Sequence, residues 1–415
     1  MDCCCYGGYL ADRVGRRPTL IIGLVGYALA SALAGSAGDS LILVVARLLQ
    51  GVAGALVTPS ALALVVSGFT DAKERRTAFG VYAVIAGGGS ALGLAAGGWL
   101  LEILMWRWSL YTGVALAVII LVGALTLPRD APRRTDARPD TVGTLLGTGG
   151  LLALTYGLSE GEPRGWTVPL VVVPLVLGII LLVVFLAWQT TRTESIPAAT
   201  VASSEVRGHD RLGCFLAMLL AGVGALLSFA VLAFSLPSVG GYAPVMVGAA
   251  FLPMIVALVI GSTQVSARLM GRVAPRVLIV PGLVITAVGM LFLTGLEADA
   301  AYAAQILPGM VLTGFGTGLA FMPLLAVATA AVGPHRAGAV SAAITAAQHL
   351  GLMLGSAVLS TVVTASLHAV PAEELTGELL GAYTATLPWA IGSVLLAGLM
   401  AGLVITVKAP GGRRG

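Results

Sequence analysis

Gly8-Tyr9-Leu10-Ala11-Asp12-Arg13-Val14-Gly15-Arg16-Arg17-Pro18-Thr19-Leu20 is the stretch on which the reading of this chain turns. Three arginines and an aspartate are compressed into residues 12–17, between Gly8 and Pro18, and an apolar run begins directly behind them. Gly8 and Gly15 permit close backbone approach. Asp12 can accept from the N-terminus of a neighbouring helix, and Arg13, Arg16 and Arg17 can tie the loop to acids or lipid phosphates. These groups suit a latch between two helical bundles.

Outward from that stretch the chain is overwhelmingly apolar. Its 415 residues are 58% hydrophobic and only 10% charged, where a soluble domain carries about a quarter charged residues. Long apolar blocks recur, among them 278–296 and 387–407, each sufficient to cross about 30 Å of hydrocarbon as a helix. Rich in Gly and Ala and without strict alternation, they predict helices rather than barrel strands. Twelve spans are expected, at 17–36, 41–66, 78–101, 109–127, 143–159, 168–188, 212–236, 245–266, 277–296, 303–330, 336–367 and 384–407. Residues 1–11 are too few to cross a bilayer and carry no pattern of a secretory signal.

Charge placement orients these spans. Twenty of the 23 basic residues fall in alternate connections, from Arg13, Arg16 and Arg17 to Lys408, Arg413 and Arg414, whereas the opposite connections hold only Arg107 and Arg164. The positive-inside rule then predicts a multi-pass protein of the cytoplasmic membrane with both ends of this chain in the cytoplasm. No continuous basic face exists for nucleic acid. Cys3, Cys4 and Cys5 are consecutive, without metal-ligand spacing, so no metal site is expected.

The opening stretch resembles the loop signature of the major facilitator superfamily, G-x-L-a-D-r-x-G-r-k-x-x-l, with Arg17 in place of Lys. The resemblance implies an all-α polytopic fold of two helical bundles, with this loop joining the second and third helices. It also implies that Gly8, Asp12, Arg13, Gly15, Arg16 and Arg17 form a conformational latch on the cytoplasmic side, Asp12 being the acceptor and Arg13 its local partner. Since the signature here precedes the first complete span, the first helix and most of the second are expected to be missing from this chain.

Arg47 is the lone basic residue inside a span, at a cost of about 2.5–3.5 kcal/mol on insertion scales, so it needs an acceptor. Gln50 lies one turn away on nearly the same face, and Gly51 sits four residues on and admits a neighbouring helix. Arg47-Leu48-Leu49-Gln50-Gly51 resembles the fourth-helix signature of the superfamily, whose Arg is implicated in proton coupling. Snorkelling of Arg47 to the outer interface is the structural alternative. Gly80, Gly89, Gly93, Gly97 and Gly98 resemble the antiporter signature of the superfamily's exporters, with Leu94 where the family has Pro. Gly89, Gly93 and Gly97, spaced by four, also make a small-residue stripe fit simply for packing.

Two spans stand between the linker 128–140 and the long linker 189–211. They resemble the extra helix pair of the fourteen-helix drug:proton antiporters, the EmrB/QacA-like branch. The resulting organisation is 1–127 for the remnant of the N-terminal bundle, 128–211 for linker and insert, and 212–415 for a C-terminal six-helix bundle. In the last of these, Ser266-Ala267-Arg268-Leu269-Met270-Gly271-Arg272 reads as a degenerate repeat of the opening loop. Pro308, Gly309, Gly314, Gly316, Gly318 and Pro323 make one span breakable, a pattern found beside substrate cavities but also explained by packing. Gln264, Gln305, Gln348 and His349 complete the polar candidates for a cavity, although a structural role for His349 is the simpler one.

No phosphate-cradling Gly-x4-Gly-Lys-Ser/Thr loop and no hydrolytic constellation is present, so neither ATP-driven transport nor an enzyme is expected, and no cofactor is called for. All 19 acids are expected in loops, at span ends or in the leading stub. The EmrB/QacA-like branch uses an acid in its first helix, which this reading leaves outside the chain. The resemblance implies a secondary transporter that exports small organic or drug-like compounds in exchange for protons. An importer of the same fold, and a non-transporting fragment, are the alternatives.

Overall fold

The computed structural model describes residues 15–68, 81, 89, 93, 97, 100, 106–127, 141–193, 208–270, 272–296, 301–330, 337–367 and 375–407. Among them the regular structure is entirely helical. The first three helices are α1 (Arg16–Gly35), α2 (Ser40–Gly68) and α3 (Trp106–Thr126). Two more form a hairpin, α4 (Thr141–Arg164) and α5 (Pro169–Thr193). After α6 (Gly208–Gly240) comes a rod of α7 (Pro244–Ala250), α8 (Leu252–Val259), a π-helical segment Ile260–Ser266 and α9 (Ala267–Leu269). Then follow α10 (Arg276–Phe292), a π-helical turn Tyr302–Ile306 leading into α11 (Leu307–Ala330), α12 (Ala337–Leu367), α13 (Leu375–Thr384) and α14 (Leu387–Val404).

Eight helices among the described residues are long and apolar enough to cross a membrane, and Pro169–Phe185 and Arg276–Phe292 are shorter apolar ones. The expected span 143–159 is α4. Of 78–101 only positions 81, 89, 93, 97 and 100 are described, all of them helical. Many buried positions are Ala or Ser, while Leu29, Leu41, Ile119, Leu145 and Leu403 stand exposed. That pattern belongs to helices that pack through small residues and turn their large aliphatic ones to lipid.

Around α1 the packing is clear. It is pressed between α2 and α3, with Leu20 and Leu24 of α1 and Ala124 of α3 forming a small core toward one end and Ala34, Ala46 and Leu110 another toward the opposite end. Reciprocal arginine bonds reinforce the α1/α3 pair. Arg17, in the first turn of α1, donates Nε to Ala124 O at 3.3 Å and Nη2 to Leu125 O at 2.6 Å, at the C-terminus of α3. Arg107, in the first turn of α3, donates Nη2 to Ala37 O at 3.3 Å, just past the end of α1. Each cation meets the negative end of its neighbour's dipole.

From residue 208 onward the core is stacked in two levels along α6. Cys214, Met218 and Leu227 meet Ile279, Leu283, Leu324, Ile344 and Val394 at one level. At the other, Val231, Leu232 and Leu236 meet Phe251, Leu293, Met310 and Leu387. The breakable character expected of the span 303–330 is not realised at its glycines, for α11 runs unbroken through them. A Cβ on Gly314 would strike Met254 O, one on Gly318 would strike Leu258 O, and one on Gly316 would strike Gly282 O. Glycine is needed there because two neighbouring backbones occupy the space. The irregularity falls earlier, at the π-helical turn Tyr302–Ile306.

The α4/α5 hairpin turns through Gly165, whose φ of 93° favours glycine. Its first helix continues a turn beyond the expected end at residue 159, closing on an Arg164–Glu160 ion pair. The Trp166 ring covers Gly161. The hairpin joins the rest of the described chain where α4 packs on α12, with Thr155 Oγ1 donating to Met353 Sδ at 3.1 Å. Helix α12 also meets α2, so it bridges the α4/α5 hairpin and α2.

Candidate functional site

Arg47 lies two turns into α2, and a guanidinium can only donate. Its Nη1 donates to Gln50 Oε1 at 3.2 Å. That fixes the amide orientation, leaving Gln50 Nε2 to donate to Ser31 Oγ of α1 at 2.6 Å. Ser31 is fully buried and Gln50 nearly so, while Arg47 itself is exposed. The acceptor that Arg47 requires is therefore Gln50, as expected, and among the described residues no carboxylate reaches it. Ser31 was not singled out from sequence. A lone serine in an apolar helix carries no signal until its partner is known.

No described residue covers the α2 face beyond Arg47. Arg47, Gly51, Gly54 and Thr58 recur at helical spacing, and among the described residues nothing lies within 4 Å of a Cβ placed on Gly51 or Gly54. Gly89, Gly93 and Gly97 likewise have no described residue within 4 Å of an added Cβ. The helix expected against Gly51 is not found among the described residues, and the 89–93–97 stripe has no packing partner among them either. Gly80 and Gly98 lie outside the described residues.

Of the latch residues, Gly8, Asp12 and Arg13 lie outside the described residues. Gly15 is buried with φ 108°, a left-handed entry to α1 that only glycine adopts easily, and its carbonyl accepts from Thr19 N at 3.1 Å and Thr19 Oγ1 at 2.8 Å. Arg16 begins α1, and Arg17 ties α1 to α3 as described.

The C-terminal candidates are dispersed. Gln264 is exposed within the π-helical segment Ile260–Ser266, and Gln305 is exposed within the other π-helical turn. Pro308 is half-buried in the first turn of α11, where proline is tolerated. Gln348 and His349 are half-buried on α12. The α12 backbone there presses on α6, since a Cβ on Gly222 would strike Gln348 O and one on Gly351 would strike Leu219 O. Among the described residues no group of His, Cys, Asp and Glu is placed to hold a metal.

One buried carboxylate escaped the sequence reading, which assigned residues up to 211 to a linker. Helix α6 begins at Gly208, so Asp210 falls in its first turn and is fully buried. Asp210 Oδ1 accepts from Thr406 N at 2.6 Å and from Thr406 Oγ1 at 3.2 Å. His209 Nδ1 lies 3.3 Å from Val404 O. Together they clasp the start of α6 to the end of α14. The signal available was an acid three residues into a helix, where it meets the positive end of the dipole.

The model of the Major Facilitator Superfamily matches residues 5–356. The chain belongs to that superfamily. It is a multi-pass membrane transporter, not an enzyme. The transporter is 42% identical over 408 residues to the puromycin resistance protein pur8 of Streptomyces alboniger, covering 96% of this chain and 80% of that protein. It is 33% identical over 372 residues to the cephamycin export protein CmcT of Amycolatopsis lactamdurans, covering 89% and 76% respectively. Among solved structures it matches the human organic anion transporter MFSD10 (TETRAN) with a TM-score of 0.61 at 18% identity, covering 96% of this chain and 80% of that one. At that identity the likeness speaks to the fold alone. The fold class expected from sequence, an all-α polytopic major facilitator protein, is the one found.

Proposed function

We propose that this transporter exports small organic, drug-like compounds across the cytoplasmic membrane in exchange for protons, by alternating access within the fourteen-helix plan. The likeness to a puromycin resistance protein over 96% of the chain carries the reading, and the likeness to an export protein supports it. The Ser31–Gln50–Arg47 chain supports proton coupling, because it keeps a permanent charge at one face of α2 where the protonation of a partner would be felt. In this reading residues 1–127 and 212–415 rock about the substrate path, 128–211 forms the inserted pair, and both ends of the chain face the cytoplasm. Asp12, Arg13 and Arg16 close the cytoplasmic side in the outward-facing state, and the 89–93–97 stripe lines the path.

The test is expression in a host stripped of its own efflux pumps. Growth in puromycin and accumulation of ethidium are both followed, with and without a protonophore. Raised puromycin tolerance and lowered ethidium accumulation, both abolished by the protonophore and by Arg47→Ala, are expected. Accumulation that ignores the protonophore would contradict antiport, and accumulation above the empty-vector control would indicate import.

A further inference from the structure

Ser31 occupies the point where α1, α2 and α3 meet. Its hydroxyl is fully buried, takes the Gln50 Nε2 proton at 2.6 Å, and lies 3.0 Å from where a Cβ on Gly113 of α3 would stand. The same absent Cβ would come 3.4 Å from Tyr27 Cε1 and 3.5 Å from Ser31 Cβ. Gly113 thus makes room for the serine, and Ser31 holds the amide.

We infer that Ser31 is the positioning residue of the Arg47 charge, and that Gly113 is the gap that keeps Ser31 in place. The inference deepens the antiport reading and rests on it. An arginine on an apolar helix has long, flexible reach and migrates to the nearest aqueous interface unless held. Gln50 alone holds it loosely, since a primary amide can turn about its last torsion and offer either end. With Ser31 Oγ seated in the space that Gly113 leaves, the Nε2 end is committed to the serine and the Oε1 end to Arg47. One of the five guanidinium donors is thereby used, and the remainder of the group is presented at the Arg47–Gly51–Gly54 face of α2. Ser31 touches neither proton nor substrate. It decides where the charge stands.

Two variants from different helices read this. Ser31→Ala removes the acceptor, and Gly113→Ala leaves the hydroxyl but pushes it off its site. Ser31→Cys keeps the shape with a poorer acceptor. Each is purified as the full chain and reconstituted in proteoliposomes with ethidium as the probe. Transport driven by a pH gradient is compared with ethidium exchange at equal pH, which needs alternating access but no proton coupling. Gradient-driven transport is expected to fall by about five- to tenfold in Ser31→Ala and Gly113→Ala, the scale of one lost hydrogen bond to a charged chain, with Ser31→Cys between. Exchange is expected to stay at the wild-type level. Gradient-driven transport unchanged in Ser31→Ala overturns the inference, as does a parallel loss of both activities. Should the wild type itself ignore the gradient, the antiport reading falls, and a second measurement still judges Ser31. In a double-mutant cycle on thermal unfolding in detergent, Ser31→Ala and Arg47→Met share no direct bond and are linked only through Gln50. Non-additive shifts uphold the positioning role and additive shifts refute it.

Discussion

Arg17 and Asp210 show how single charged side chains hold this transporter together at its helix ends. Arg17 reaches two carbonyls of α3 at once, a geometry that a planar guanidinium matches and an ammonium does not. Arg17→Ala should lower stability by about 1 kcal/mol, with Arg17→Lys recovering only part of it, as read by thermal unfolding of the purified protein in detergent. Asp210 is buried beneath two donors of Thr406, so Asp210→Ala leaves both without their acceptor and should cost about 2–3 kcal/mol. Hydrogen exchange at the Thr406 amide should quicken in that variant. Asp210→Asn keeps one oxygen and should lose less. A melt of Asp210→Ala indistinguishable from wild type would show that the clasp contributes nothing.

At the scale of the helix, one residue type does opposite jobs. Gly314, Gly316 and Gly318 are filled by the backbones of the rod and of α10, so α11 cannot accept a methyl group without moving its neighbours. Gly51 on α2 has no described residue within 4 Å of an added Cβ. Gly318→Ala is therefore expected to destabilise by about 1–3 kcal/mol through overpacking, visible as loss of the monodisperse peak on size exclusion. Gly51→Ala should fold as well as wild type, with up to about 1 kcal/mol gained from helix propensity. If both variants behave alike, the assignment of packed and open glycines is wrong. Periodicity placed these glycines on helices and on faces. It was silent on which faces another backbone would fill, because that depends on where helices cross.

For the whole molecule, the placement of the α4/α5 hairpin decides what moves with what. Its described anchor is α12, through Thr155 and Met353. Thr155→Cys paired with Met353→Cys should crosslink readily with a short bifunctional thiol reagent, and the crosslinked transporter should retain export if the hairpin travels with α12. Crosslinking that abolishes export while the uncrosslinked double variant remains active would place a moving boundary between them.

The amino-acid sequence by itself settled that the chain is all-helical, that lipid is its surroundings, where most of its helices run and which superfamily it belongs to. These follow from hydropathy, charge and short motifs, which are sums over neighbouring residues. It missed Ser31, the burial of Asp210 and the reciprocal arginines. Those depend on partners distant in the chain, 108 residues apart for Arg17 and Leu125 and 196 for Asp210 and Thr406. A serine, an aspartate or a glycine acquires its role only when helix crossing brings a particular donor, carbonyl or empty space against it, and that was decided by tertiary structure alone.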